Sequence, residues 1–494
     1  MDGNLKLVAP EAFLSIMAMA ILLLGTVLTE RKKAWLAYLT LAALIVTYLL
    51  LSPFSLDQSL LAYSGMFVQD GFALVFKMLF IFVGIMVTLV SFDFLHSRKI
   101  MCGEFYALLL FATVGMMLLA SAHDFMTLFV GLELTSLATY VLVGLLKKDL
   151  WSNEAAIKYF LLSIFASAVL LFGISIVYAS VGTTNFGLIH DRIGQVTARL
   201  PGATILSLVF LTAGFGFKIT AVPFHMYAPD VYQGAPTPVT IFLSVGPKAA
   251  AFAGFVRVLC AVAHAAPADW LLLAGTLAVL TMTLGNVAAV LQTNVKRMLA
   301  YSSIAHSGYV LIGVAAMARQ EGYAGGAPGG AASVVFYLFA YAIMNIGAFS
   351  LLMYMKRENG YGEDLADFSG LGRRRPAVAA AMVVFLFSLA GIPPTIGFLG
   401  KLYIFTAAIR AGLYWLAVAG VVNVVVSLFY YARIAMHMYM REQEREVSDV
   451  KSFPLDLALG ALAAATVVLG IFPQAILSVI ERSASIIVTG GGIP

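Results

Sequence analysis

Lysines set inside apolar sequence define the chemistry open to this chain. Lys218, Lys248 and Lys401 stand within or beside long apolar stretches. Lys218 and Lys248 belong to the segment GFGFKITAVPFHMYAPDVYQGAPTPVTIFLSVGPK, which carries prolines at 223, 229, 236, 238 and 247. The clearest mid-span carboxylate is Glu133, in FVGLELTSL. Lys158, His225 and His306 complete the set, His306 lying among serines in YSSIAHSGY. At bilayer depth an ionisable side chain costs at least about 2.5–3.5 kcal/mol, so each is a candidate functional group whose partner must be sought. Burial disfavours the charged form of an amine. A buried lysine can therefore load and release a proton, and a carboxylate drawn towards it favours loading. At about 8 Å and an effective dielectric near 20 that attraction is roughly 2 kcal/mol. The groups read as a lateral proton relay running from Lys158 and Glu133 through Lys218, Lys248 and His306 to Lys401, with Glu133 controlling Lys218.

Each group also has a plainer reading. A lone intramembrane histidine is often a hydrogen-bonded packing residue. Lys158, about one turn into its span, is near enough to an end to snorkel. Lys77 fits packing or snorkelling, and Arg433 fits snorkelling or contact with a neighbouring subunit.

The elements that position these groups follow from composition. The 494 residues are 61% hydrophobic and 11% charged, with mean hydropathy +0.95, which describes an all-α integral membrane protein. Apolar runs of helical rather than strand length argue against a β-barrel. The first run lacks an A-x-A-like cleavage site and reads as a retained helix. Fourteen spans are expected, near 11–29, 34–52, 69–94, 104–121, 124–146, 153–180, 202–225, 237–260, 269–292, 298–317, 332–355, 376–410, 413–440 and 455–474. Connections are short except 181–201, 318–331, 356–375 and 441–454, so residues 1–494 form a single membrane domain. Cys102 and Cys260 lie far apart with no ligand-spaced cluster, so no metal or cofactor site is expected and both read as packing thiols.

Basic residues orient the spans. One set of alternate loops holds 17 Lys and Arg, among them Arg31, Lys147, Lys296, Arg373 and Arg441; the other holds 7, including Lys6, Arg192 and Arg257. The richer side is expected to be cytoplasmic, with both termini on the periplasmic side. The net charge of +5 is assigned to these loops, and no nucleic-acid partner is expected. Six cations remain inside spans, Lys77, Lys158, Lys218, Lys248, Lys401 and Arg433. Glu133 is the clearest anion to match them, while Glu11 is read as close to a span end and able to reach water.

Two spans carry breaks. Pro223 removes the amide that would bond the carbonyl of Ile219, and Pro393 and Pro394 free the carbonyls of Leu389 and Ala390. Irregular backbone at that depth survives only against protein or a water-lined cavity, and paired broken helices point to an ion site. Both spans carry Gly-Phe-x-x-Lys, as Gly214, Phe215, Lys218 and Gly397, Phe398, Lys401. Each is the fourth helix of a five-helix set if the sets are spans 4–8 and 9–13, an odd number that inverts the second copy.

FVGLELTSL, GFGFKITAVPFHMYAPDVYQGAPTPV, QTNVKRMLAYSSIAHSGY and SLAGIPPTIGFLGKLY resemble the antiporter-like subunits of respiratory complex I, the proton-pumping NADH:quinone oxidoreductase, and the likeness spans essentially the full chain. Among the L, M and N branches the sequence looks most like N. It has a lysine, Lys401, where M-like subunits usually have glutamate, and it ends without the long lateral helix of L-like subunits. The resemblance implies a fourteen-helix bundle of two inverted repeats, 104–260 and 269–440, each with one broken helix, followed by a final span and tail at 455–494. It implies Glu133 and Lys218 as a coupled pair, Lys248 as central relay, Lys401 as the exchange site near the far side, and Lys158 and His306 as further relay positions. FMN, iron–sulfur clusters, NADH and quinone are expected in other subunits. Partners are expected to be other complex I membrane subunits, including M-like and K-like neighbours, in a bacterial inner membrane. A multi-subunit cation/proton antiporter or a membrane-bound hydrogenase shares the fold and is the competing reading.

Overall fold

The computed structural model describes residues 3–29, 32–97, 102–319, 329–357, 360–443, 448–449 and 452–488. Arg31, Arg98, Lys99, Arg445 and Lys451, five of the basic residues used for orientation, lie outside them. The chain opens with a short helix α1 (Gly3–Leu7), then α2 (Ala9–Val27) and α3 (Trp35–Leu51). A hairpin of β1 (Leu60–Ala62) and β2 (Phe67–Gln69) leads into α4 (Gly71–Ser97). The first five-helix stretch comprises α5 (Gly103–Ala120), α6 (Phe125–Val143), α7 (Leu150–Val181), α9 (Pro201–Lys218) continued by α10 (Tyr227–Gly234), and α11 (Thr237–Val262), with α8 (Phe186–Arg199) between α7 and α9. The second comprises α12 (Pro267–Val290), α13 (Val295–Ala316), α14 (Gly330–Ser350), α16 (Pro376–Ala390) with α17 (Ile396–Arg410), and α18 (Tyr414–Met440), with α15 (Leu371–Arg374) before α16. The helices α19 (Phe453–Ile471) and α20 (Gln474–Val488) end the described chain.

Local chemistry starts these helices. Asp124, Asp149 and Asn294 cap α6, α7 and α13 by accepting from the amides of Met126, Trp151 and Arg297. Pro201, Pro267 and Pro376 open α9, α12 and α16, where a missing amide costs nothing. The spans are apolar on most faces, so close packing relies on small residues. A Cβ at Gly131 would fall 2.8 Å from Leu119 N of α5, and one at Gly285 would fall 2.6 Å from Ala305 N of α13.

The connections gather in two groups, as alternating crossings require. Phe67 of the hairpin bridges Ala122, and Asp124 bridges Asn185. In the other group Asn294 bridges Asp364, and β3 (Met355–Arg357) pairs with both β4 (Gly360–Tyr361) and β5 (Ser448–Asp449).

Among the described residues twelve helices are long and apolar enough to cross a membrane, and Trp35–Leu51 and Pro376–Ala390 are shorter apolar helices, so the expected count of fourteen is not confirmed. Other expectations need correction. The 181–201 connection contains a 14-residue helix, α8, and the expected tail forms α20. The seventh span stops at Lys218 rather than running to 225, and resumes as α10. Buried anions are also more numerous than one. Glu11 is buried and meets the fully buried Lys77 at 2.6 Å. Arg257, assigned from sequence to a loop or helix end, is buried in α11 and meets Asp70 at 2.7 Å. In both cases the opposite charge comes from a segment that the linear sequence does not place alongside.

Candidate functional site

The first centre forms where α6, α7 and α9 meet. Lys218 is the last residue of α9, and its Nζ donates to Ser136 Oγ of α6 at 2.8 Å and Ser163 Oγ of α7 at 2.7 Å. Glu133 Oε1 lies 4.0 Å from that Nζ and accepts from Ser167 Oγ at 2.5 Å. The separation is half the 8 Å considered from sequence, so the attraction is about twice as large, roughly 4 kcal/mol at the same effective dielectric. Past Lys218 the backbone turns through Thr220, whose φ of +60° lies in the left-handed region. Pro223 follows before α10 begins, and Tyr227 OH donates back to Phe217 O at 3.1 Å.

Hydroxyls continue from this break to the second centre. Thr220 Oγ1 lies 3.3 Å from Ser307 Oγ, which donates to Ser303 O at 3.2 Å. Lys248 Nζ donates to the same carbonyl at 2.9 Å and to Ser303 Oγ at 2.5 Å. Tyr341 OH also donates to Ser303 Oγ, at 2.7 Å. His306 Nδ1 lies 2.7 Å from Tyr337 OH and Nε2 lies 3.2 Å from Tyr431 OH, which contacts Ser302 Oγ in turn. The expected serine partners of His306 thus act elsewhere: Ser303 holds Lys248, Ser307 holds Thr220, and Ser302 reaches the histidine only through Tyr431.

Lys401 occupies the second break. Its Nζ donates to Leu389 O at 2.7 Å and Ala390 O at 2.9 Å, the two carbonyls that Pro393 and Pro394 free. These carbonyls end α16, where the helix carries partial negative charge. The two breaks use their lysines differently. Lys218 precedes its break and points to neighbouring helices, whereas Lys401 follows its break and points back across it.

Residues 122–427, which hold every group described in this site except Tyr431, match the family described as NADH:quinone oxidoreductase/Mrp antiporter, TM. The chain belongs to that family. Its relatives near 40% identity, named as subunit N, place it on the N branch. It is 41% identical over 98% of its length to NADH-quinone oxidoreductase subunit N of Trichlorobacter lovleyi, covering 98% of that relative. Among solved structures, it is 31% identical to a chain of respiratory complex I from Thermus thermophilus with bound aureothin, covering 96% of this chain and 99% of that one, with a TM-score of 0.79. A chain of the Mrp complex from Dietzia sp. DQ12-45-1b aligns with a TM-score of 0.82 over 99% of this chain and 98% of that one. At 20% identity that likeness is one of fold.

Within this family member the remaining sequence candidates sit apart from the core of the site. Lys158 is 42% exposed and pairs with Glu154 at 2.7 Å and Asp230 at 3.0 Å, not with Glu133. Arg297 also pairs with Asp230, at 2.8 Å, and a cavity of about 50 Å³ opens among these residues. His225 is buried in the first break, with no hydrogen bond to its Nδ1 among the described residues. Arg433 donates to the carbonyls of Val290 and Gln292, closing the end of α12. Sequence reasoning missed Ser136, Ser163, Ser167, Tyr337 and Tyr431. The spacing of Ser163 and Ser167, four apart on one helical face, was the available signal.

Proposed function

We propose that this chain is the proton-translocating, redox-inactive membrane subunit of an NADH:quinone oxidoreductase. Protons move through Glu133, Lys218, Lys248, His306 and Lys401, with Lys158 at the water-facing end and His225 at the first break. The observation that carries this reading is the 4.0 Å approach of Lys218 to Glu133, two opposite charges held inside the span region with hydroxyls on each. Closing the pair favours proton loading on Lys218 and separating it favours release. From there Thr220, Ser307 and Ser303 lead towards Lys248, and Tyr431 and His306 lead on towards Lys401, with water in the gaps.

The rest of the proposal concerns organisation. Residues 104–260 and 269–440 are two inverted five-helix repeats in a bundle of fourteen crossings, the second and the interrupted twelfth being made by shorter helices. Both termini face the periplasm. Flavin, iron–sulfur and quinone chemistry belong to other subunits, and M-like and K-like membrane subunits are the neighbours. A cation/proton antiporter or hydrogenase subunit is the lesser reading, since its support is the shared fold, while the relatives near 40% identity carry the subunit N name.

The test is Lys218→Ala in inverted membrane vesicles, with assembly verified and NADH oxidation measured together with proton uptake. Loss of coupled proton uptake is expected. Normal rates of both would refute the relay and favour a structural scaffold.

A further inference from the structure

The helix α7 is one unbroken run of 32 residues lying along both halves of the interrupted seventh span. On the α9 side, a Cβ at Gly214 would fall 2.5 Å from Leu170 Cβ, and one at Gly173 would fall 2.9 Å from Leu211 N. On the α10 side, a Cβ at Gly234 would fall 2.6 Å from Trp151 O, and Lys158 of α7 pairs with Asp230 of α10 at 3.0 Å. The absence of side chains at these three glycines lets α7 press on the backbone either side of the break. It acts as a splint, so its own side chains between the two contact zones have fixed positions relative to Lys218.

Ser163 and Ser167 occupy that interval, four residues apart and facing the same way. Ser163 Oγ accepts from Lys218 Nζ at 2.7 Å, and Ser167 Oγ donates to Glu133 Oε1 at 2.5 Å. The ammonium and the carboxylate are each engaged by a different hydroxyl of the same helix. Their own 4.0 Å separation is outside hydrogen-bond range.

The geometry points to Ser163 and Ser167 as positioning residues that hold the Glu133–Lys218 pair open by about one ångström beyond direct contact. The inference rests on the relay reading above. Without the Ser163 hydroxyl, Lys218 keeps only Ser136 as an acceptor among the described residues, with a carboxylate 4.0 Å away to replace what it lost. Without the Ser167 hydroxyl, Glu133 loses its donor, and Lys218 is the cation at hand. Either change lets the pair collapse into a direct, tighter ion pair that releases its proton less readily. If the serines were merely small packing residues, alanine would serve as well.

The experiment compares Ser163→Ala, Ser167→Ala, Ser163→Thr and Ser167→Thr with Lys218→Ala in the assembled complex, measuring proton uptake against NADH oxidation in inverted vesicles. Each alanine variant is expected to lower proton uptake roughly tenfold, the scale of one hydrogen bond to an ion, and each threonine variant to restore it. Normal uptake in the alanine variants, with uptake lost in Lys218→Ala, overturns this inference alone. Equal losses in the alanine and threonine variants overturn it in favour of a steric role. Normal uptake in Lys218→Ala removes the relay reading and this inference with it. Should Ser163→Ala fail to assemble, Ser163→Cys keeps the volume and weakens the acceptor. Reduced uptake in Ser163→Cys then supports the proposal and normal uptake overturns it.

Discussion

Lys401 lies across Gly391: a Cβ at position 391 would fall 2.9 Å from Lys401 Cδ. Gly391 also ends α16 with φ of +87°, the left-handed conformation that frees the turn to present Leu389 O and Ala390 O to the lysine. Gly391→Ala therefore carries two costs, about 1–2 kcal/mol for the backbone and displacement of the Lys401 stem. The expected outcome is an assembled complex whose proton uptake falls more than its NADH oxidation. Paired measurements in inverted vesicles check it.

Glu133→Gln keeps the shape that receives Ser167 but removes the charge 4.0 Å from Lys218. The attraction lost is about 4 kcal/mol at an effective dielectric of 20. Assembly should be retained and proton uptake should drop by more than tenfold. Glu133→Asp, with charge kept on a shorter stem, should fall between the variant and the native chain.

Two tyrosines hold His306, and they are not equivalent. Tyr431 contacts both His306 Nε2 and Ser302, while Tyr337 contacts only Nδ1, at 2.7 Å. Tyr431→Phe should accordingly reduce proton uptake more than Tyr337→Phe. One hydrogen bond is worth about 1 kcal/mol, so the expected ratio between the two variants is several-fold. Equal effects would count against a path through Tyr431.

The Glu11–Lys77 pair makes a stability prediction separate from transport. Lys77 is fully buried, with its Nζ 2.6 Å from Glu11 Oε1 and 2.5 Å from Gln69 Oε1. Lys77→Met alone strands a buried carboxylate, which costs about 3–5 kcal/mol. The complex should assemble poorly or melt earlier. Adding Glu11→Leu should recover most of that loss, because a matched apolar pair replaces a buried ion pair at little cost. Thermal melting of the purified complex and its yield in membranes are the readouts.

Lys158 supplies the contrasting case. Its partners Glu154 and Asp230 are themselves substantially exposed, and such surface pairs contribute about 0–1 kcal/mol. Lys158→Ala should leave melting unchanged and affect proton uptake far less than Lys218→Ala, with an effect that shrinks as salt is raised.

Part of this site was legible before any helix was placed against another. Proline's missing amide is a property of the residue itself, so Pro393 and Pro394 predict free carbonyls at Leu389 and Ala390, and Lys401 is found on both. The caps at Asp124, Asp149 and Asn294 are local in the same way. Long apolar runs broken by lysine, glutamate and proline likewise determine a membrane protein with ionisable groups and interrupted helices, because the cost of burying charge does not depend on which helix is next door.

Tertiary structure decided which groups meet. Ser163 reaches Lys218 across 55 residues of sequence, and His306 meets Tyr431 across 125. Arg257 finds Asp70 across 187. Periodicity identifies the inner face of a helix that is polar on one side, but helices apolar nearly all round leave their rotation unmarked. That rotation is set by where glycines such as Gly214 and Gly234 let backbones approach. It is this packing that turned two unremarked serines on α7 into the contacts holding Lys218 and Glu133 4.0 Å apart.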